Sequence, residues 1–181
     1  RAALGDTPQA LRDLSISLDN LGQVSQDLGE LEAARGAYAE SLQLRRQLRA
    51  ALGDTPQALR DLSVSLNNLG QVSQDLGELE AARGAYAESL QLRRQLRAAL
   101  GDTPQALRDL SVSLFFFSLI EAKSGHPEHA LEFAHEAHTL WQRLATALPG
   151  HPGIARELAG ASAWAQALGD AIAAAGNNPP P

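Results

Sequence analysis

Leucines stand at positions 11, 14, 18 and 21 and again at 59, 62, 66 and 69, three or four apart. That interval lines side chains along one face of a helix. In the second set Asp54 or Thr55 offers a side-chain oxygen as N-cap, and Pro56 sits where a first helical turn tolerates it. Gly70 and Leu76 extend the apolar face, and Gly77 closes the helix. A second helix is predicted over about 78–100, with Glu78 and Glu80 in its first turn and Arg93, Arg94 and Arg97 near its end, as the helix dipole favours. The same pair precedes it at about 8–28 and 30–52. A third follows at about 104–124 and 127–148, and a seventh helix near 153–174 carries Ile154, Leu158, Ala161, Trp164, Ala165 and Leu168.

The pairs recur because the sequence does. Residues 1–48 return at 49–96 with two changes, Ile16 to Val64 and Asp19 to Asn67, and a third copy opens at Arg97 and holds to Leu114 before diverging. Fixed-period self-similarity implies stacked units that share one continuous core. The expected fold class is all-α, an α-solenoid of three antiparallel helix pairs plus a C-terminal capping helix, about seven helices. The expected divisions are 1–7, the end of a truncated upstream repeat; 8–53, 54–101 and 102–150, the three repeats; 151–175, the capping helix; and 176–181, a disordered tail. Arg1 to Leu4 match the last turn of a helix in the later copies, and the sequence holds no methionine. Both features suggest an excerpt from a longer protein.

Residues 65–90 resemble a tetratricopeptide repeat. Leu69 and Gly70 match that family's Leu-Gly pair in its first helix, Gly77 the turn, Ala82 the small residue at the helix crossing and Tyr86 the aromatic. The match recurs at Leu21, Gly22, Gly29, Ala34 and Tyr38. In the third copy Gly125, Ala130 and Ala137 survive, while Phe117 and Ser118 replace the Leu-Gly pair and Ala134 the tyrosine. The resemblance covers about 8–148 and departs from the family in length. The usual unit is about 34 residues, and the extra residues here add roughly 20 Å of helix per repeat, similar to the lengthened repeats of kinesin light chain and of bacterial multidomain proteins.

The resemblance implies a module that binds other polypeptides along the concave surface lined by first helices. On a helical wheel Gln57, Arg60, Val64, Asn67, Asn68, Gln71 and Asp75 gather opposite the leucines. Asn20 and Asn68 precede their Leu-Gly pairs, where the family often carries an asparagine that holds a peptide backbone; a primary amide can donate and accept together. The candidate groove is Asn20, Gln23, Arg60, Asn67, Asn68, Gln71, Phe115, Phe116 and Leu119; the alternative is a merely solvated polar face. Phe115 and Phe116 take the places of Asn67 and Asn68, and Leu119 that of Gln71. The two rings present an apolar patch of about 300–500 Å², to be covered by the following helix and tail, by a second copy or by a ligand.

Composition narrows the partners. The formal charge of −6 comes from interspersed acids and arginines without a basic cluster, which disfavours nucleic acid and anionic lipid. No apolar run reaches the roughly 18 residues of a membrane span, so neither nucleic acid nor membrane is expected. The absence of cysteine fits a cytoplasmic chain. His126 and His129, and His135 and His138, show the spacing of helical metal ligands beside Glu128, Glu132 and Glu136, but no fourth ligand or confining loop accompanies them. Neither a metal, a cofactor nor catalysis is expected, since no phosphate loop and no nucleophile-base pairing is present.

Two functions remain in view: a peptide-binding module, and an assembly or spacer segment that self-associates through repeat end faces. The second rests on Leu11, Leu14, Leu18 and Leu21, which lack an upstream second helix. A homodimer or head-to-tail stack through that end is the expected form.

Overall fold

The computed structural model describes residues 7–177, and the expected helix end at 1–4 and the tail beyond 177 lie outside them. Seven helices and no strand occur among the described residues: α1 (Pro8–Asp27), α2 (Leu31–Leu52), α3 (Pro56–Asp75), α4 (Leu79–Leu100), α5 (Pro104–Lys123), α6 (Pro127–Ala147) and α7 (Pro152–Asn177). They belong to two compact units, one reaching Ala99 and the other beginning at Leu100. Connections of three or four residues turn successive helices antiparallel within each unit.

The ends are set locally. Thr7, Thr55 and Thr103 each accept a hydrogen bond from the backbone three residues on, at 3.2 Å, so threonine rather than aspartate is the cap. His151 does the same work for α7, its Nδ1 accepting from the Ile154 N–H at 3.3 Å. At the α3 terminus Gly77 takes φ +81°. Its N–H donates to the Gln74 carbonyl at 3.0 Å and the Glu78 N–H to the Ser73 carbonyl at 2.8 Å, the paired bonds of a Schellman turn. The helix α7 runs past the expected 174 to Asn177 and takes in Gly176 and Asn177, which were expected in the tail. Ala171, Ala173, Ala174 and Ala175 are strong helix formers and carry it on.

In the first unit the helices approach because small residues face large ones. Ala34 and Ala82 are fully buried. The ring of Tyr38 lies over Gly22 and that of Tyr86 over Gly70, so closely that a Cβ at Gly22 would stand 2.6 Å from Tyr38 and one at Gly70 2.8 Å from Tyr86. This gives a physical reason for the Leu-Gly pair. Buried serines add a clasp between helices: Ser41 Oγ donates to the Ser15 carbonyl at 3.0 Å, and Ser89 Oγ to the Ser63 carbonyl at 3.1 Å. Apolar contact continues from α2 to α3, where Leu42 joins Leu59, Leu62 and Leu66, while Ala34 and Tyr38 close on Val72.

The second unit solves the same problem with different residues. Ser118 replaces the glycine and Ala134 the tyrosine, an exchange that removes the ring from this contact and leaves its volume to be filled by other side chains. The aromatic ring moves one place along the second helix, to Phe133, and meets Phe117 edge-on at 4.8 Å. Ala130, Ala134, Ala165 and Leu168 form the core between α6 and α7, with Trp164 packed against it.

Gly70→Ala is expected to destabilise by about 1–3 kcal/mol through overpacking, despite a helix-propensity gain of about 1 kcal/mol. Gly84→Ala, whose Cβ would meet nothing within 4 Å, should stabilise by about 0.5–1 kcal/mol; urea denaturation reads both signs. A second expectation concerns pH. Burial raises the pKa of Tyr38 and Tyr86 above the ordinary 10.0, with Asp19 and Asp27 adding for the first and Asp75 for the second. Stability from these phenols is therefore complete below pH 10 and falls as pH rises beyond it, because the unfolded chain releases those protons first. Phenolate absorbance should appear together with loss of helical circular dichroism; phenolate formed in a fully helical chain would contradict the packing.

Candidate functional site

Two surfaces carry the candidate residues, one in each unit. In the first, Asn20 and Gln23 are exposed on α1, and Arg60, Asn67, Asn68 and Gln71 are half-buried on α3. Asn20 and Asn68 make no side-chain hydrogen bond among the described residues. Their amides keep both donors and the acceptor for something else. Gln23 and Gln71 are already engaged: each donates to the carboxylate four residues on, Asp27 at 2.8 Å and Asp75 at 3.0 Å, and Gln71 also accepts from the Tyr86 hydroxyl at 3.4 Å.

Asn67 occupies a different kind of position. Its counterpart in the first copy, Asp19, turns toward α2 and forms an ion pair with Arg45, which is itself buried. Arg45 also donates to the Asp61 carbonyl of α3 and, at 3.4 Å, to Ser15 Oγ. It thus ties three helices together through one guanidinium, whose planar fork suits several acceptors at once. In the second copy Asn67 stands in the place of Asp19, with its Oδ1 buried and unpaired. The wheel placed Asn67 beside Asn68, but its register is that of a residue which, in the first copy, bonds to the second helix.

The third copy makes this position apolar on both helices. Phe115 stands where Asp19 and Asn67 stand, and Trp141 where Arg45 and Arg93 stand, so a charged pair has become two rings. Both line a pocket of about 600 Å³ between α5 and α7, together with Phe116, Trp164 and, at one side, Glu157. Phe115 meets Phe116 at 5.9 Å and Trp164 at 6.3 Å, edge-on in each case. The Trp164 indole is fixed by donating to Ser118 Oγ at 2.8 Å, and Ser118 donates in turn to the Ala130 carbonyl at 2.6 Å. Helix α7 therefore stands beside the two phenylalanines without sealing them: Phe115 keeps 36% of its surface and Phe116 is half-buried. Leu119 is also half-buried on α5.

The histidines fall elsewhere. His126 and His129 each place Nδ1 3.6 Å from a carboxylate oxygen of Glu121, which is buried. His135 is exposed and His138 half-buried. No group of three potential ligands is arranged to hold a metal among the described residues. Sequence reasoning missed Glu121, which stands at the register of Ser25 and Ser73, both buried in the structure. At the amino-terminal surface, Leu14 and Leu21 are exposed and Leu11 and Leu18 half-buried.

Helix pairs of one length, repeating the same glycine-under-tyrosine contact, define an α-helical repeat protein. The tetratricopeptide repeat family model matches residues 16–49 and 62–97; these two copies are tetratricopeptide repeats. No curated protein matches the sequence significantly. Among solved structures, a crystal structure of BtubC (BKLC) from P. vanneervenii shares 16% identity at a TM-score of 0.62, with 99% of this chain and 70% of that one covered. A filament named DHF79 gives 17%, a TM-score of 0.47 and coverage of 94% and 89%. The designed helical repeat protein DHR64 gives 15%, 0.39, and 91% and 95%. At such identities the first speaks to the fold alone, and nothing rests on the other two. No helix among the described residues is long and apolar enough to cross a membrane.

Asp19→Ala leaves the buried Arg45 without its carboxylate and should cost about 3 kcal/mol, the low end for breaking a buried pair because Asp19 retains some solvent. Asp19→Asn, which reproduces the second copy, should cost clearly less. Equal losses in chemical denaturation would mean that the charge, rather than hydrogen bonding and shape, carries the contact.

Proposed function

We propose that the chain is a non-catalytic module that binds polypeptide segments, with two kinds of contact. The amides of Asn20 and Asn68 hold an extended backbone on the first unit, and the pocket of Phe115, Phe116, Trp141 and Trp164 takes an apolar side chain on the second. Tetratricopeptide repeats are protein-interaction modules in general, which supports the broad reading. The observation that carries the finer one is the aromatic pocket, left open although α7 stands beside it. A well-packed apolar side chain there contributes roughly 1.5–3 kcal/mol, against about 0.5–1.5 kcal/mol net for each amide contact. Gln23, Arg60, Asn67, Gln71 and Leu119 frame these contacts.

A displayed library of random peptides, selected on the whole chain and followed by calorimetry, tests the proposal. Peptides held on the second unit should be weakened about tenfold or more by Phe116→Ala, and those held on the first unit by Asn68→Ala to a lesser degree, with helical content unchanged. Peptides indifferent to both substitutions would sink it. A second reading, assembly through the leucine surface of α1, is favoured by one observation, the exposure of Leu14 and Leu21. Light scattering that shows only monomer at high concentration would count against it.

A further inference from the structure

The last helix keeps the register of the first helix of each pair. Pro152, Arg156 and Leu158 stand two copies on from Pro56, Arg60 and Leu62, yet Gly160, Ala163 and Ala167 occupy the places of Val64, Asn67 and Gln71. All three small residues line the aromatic pocket between α5 and α7, and its volume of about 600 Å³ lies within the range of cavities that take whole small molecules. A Cβ at Gly160 would meet nothing within 4 Å. The space is therefore open on the α7 side as well as between the rings.

The pocket does not end at its rings. A second cavity of about 240 Å³ adjoins it, sharing Trp141 and Glu157 and reaching the amino-terminal ends of α5 and α7, where Gln105, Arg108, His151 and Arg156 line it. Along α5 the lining runs from Gln105 and Arg108 through Val112 to Phe115 and Phe116, one stripe of about 16 Å. One end of this groove is aromatic and the other cationic. Arg108 is its uncommitted charge. The counterpart Arg12 pairs with Asp61 at 3.7 Å and Arg60 is engaged as well, whereas Arg108 has no ion pair or hydrogen bond among the described residues. Glu157, two copies on from Asp61, instead meets Arg156 at 3.3 Å. No other carboxylate among the described residues lines either cavity, so this end keeps an excess of positive charge.

From this arrangement we propose that the groove binds a small single-chain amphiphile with an anionic head, its apolar chain among Phe115, Phe116, Trp141 and Trp164 and its head at Arg108. The inference goes beyond polypeptide binding and does not rest on it. Burial of the chain against the rings supplies the affinity, and a guanidinium with all its donors free selects the head. The dipoles of α5 and α7, whose amino-terminal ends meet here, favour the same sign. The formal charge of −6 does not oppose this, because in physiological salt it is screened beyond about 8 Å and the groups at the head are of the other sign. A chain among the four rings fills the space that an apolar side chain of a polypeptide would take, so the amphiphile also displaces such a ligand from the second unit.

Both tryptophans of the chain, Trp141 and Trp164, line the groove, so the intrinsic fluorescence of the whole chain reads its occupation directly. Dodecanoate, titrated below its micelle-forming concentration, should change the emission saturably. Dodecyltrimethylammonium, with the same tail and the opposite head, should bind more weakly by about threefold or more. Arg108→Glu should weaken dodecanoate about three- to tenfold and strengthen the ammonium. Gly160→Leu with Ala163→Leu, both at exposed positions, should fill the groove and weaken both amphiphiles about tenfold or more, with helical circular dichroism unchanged. Absence of a saturable change with dodecanoate overturns the proposal, as does equal affinity for the two heads, or indifference to Arg108→Glu or to the paired leucines. The comparison of heads is made on the unaltered chain and so decides the matter even where a variant fails to fold.

Discussion

The distance between paired helices depends on a tyrosine ring lying flat against a glycine. With Gly22 under Tyr38 and Gly70 under Tyr86, the helices approach until backbone meets ring, and the neighbouring contacts then become possible. Only at that separation do the Ser41 and Ser89 hydroxyls reach carbonyls on the facing helix, and only there does Arg45 span three helices. A glycine inside a helix carries an entropic cost of its own; here that cost is offset by the burial of two large rings. The third copy does without this contact: Ser118 bonds to the Ala130 carbonyl and to the Trp164 indole, and the ring contact is made by Phe117 and Phe133 instead.

How much of this was legible in the sequence follows from what each residue depends on. The helices, their turns and the leucine faces were read correctly because periodicity, capping threonines and closing glycines act within a few residues of one another. The Leu-Gly pair, Ala82 and Tyr86 were read through family resemblance, and the structure supplies the contact behind them. Ser15, Ser41, Ser63 and Ser65 gave no signal: a serine on a wheel reads as polar surface, and only a facing carbonyl makes it interior. Asn67 illustrates the same limit, because a wheel of one helix cannot show that Asp19, at the same register, bonds to Arg45. Glu121 was invisible for the opposite reason, its burial running against what an isolated glutamate suggests.

The exchange of Asp19 and Arg45 for Phe115 and Trp141 joins fold to candidate function. Breaking a buried ion pair one side at a time is costly, while replacing both members by apolar groups of similar size can be neutral. The third copy carries the double replacement, and with it a surface that in the first copy is closed by a salt bridge becomes a wall of rings. A divergent repeat can thus gain a pocket without losing stability. The amide positions Asn20 and Asn68, which carry no internal bond, were free to remain as they are.

Near-identity of the first two copies also means that the helices cannot recognise one another as individuals. The side of α2 that fits α3 is reproduced on α4, and the side of α1 that fits α2 is reproduced on α3, so a pairing displaced by one whole copy would satisfy nearly the same contacts. What distinguishes the native order is connectivity: three-residue turns make a neighbour in sequence far more concentrated locally than its twin one copy away. Correct assembly is therefore governed by the kinetics of short-range closure. Lengthening the turn at Gly29 or Gly77 would erode the fidelity of folding before it eroded the stability of the folded state.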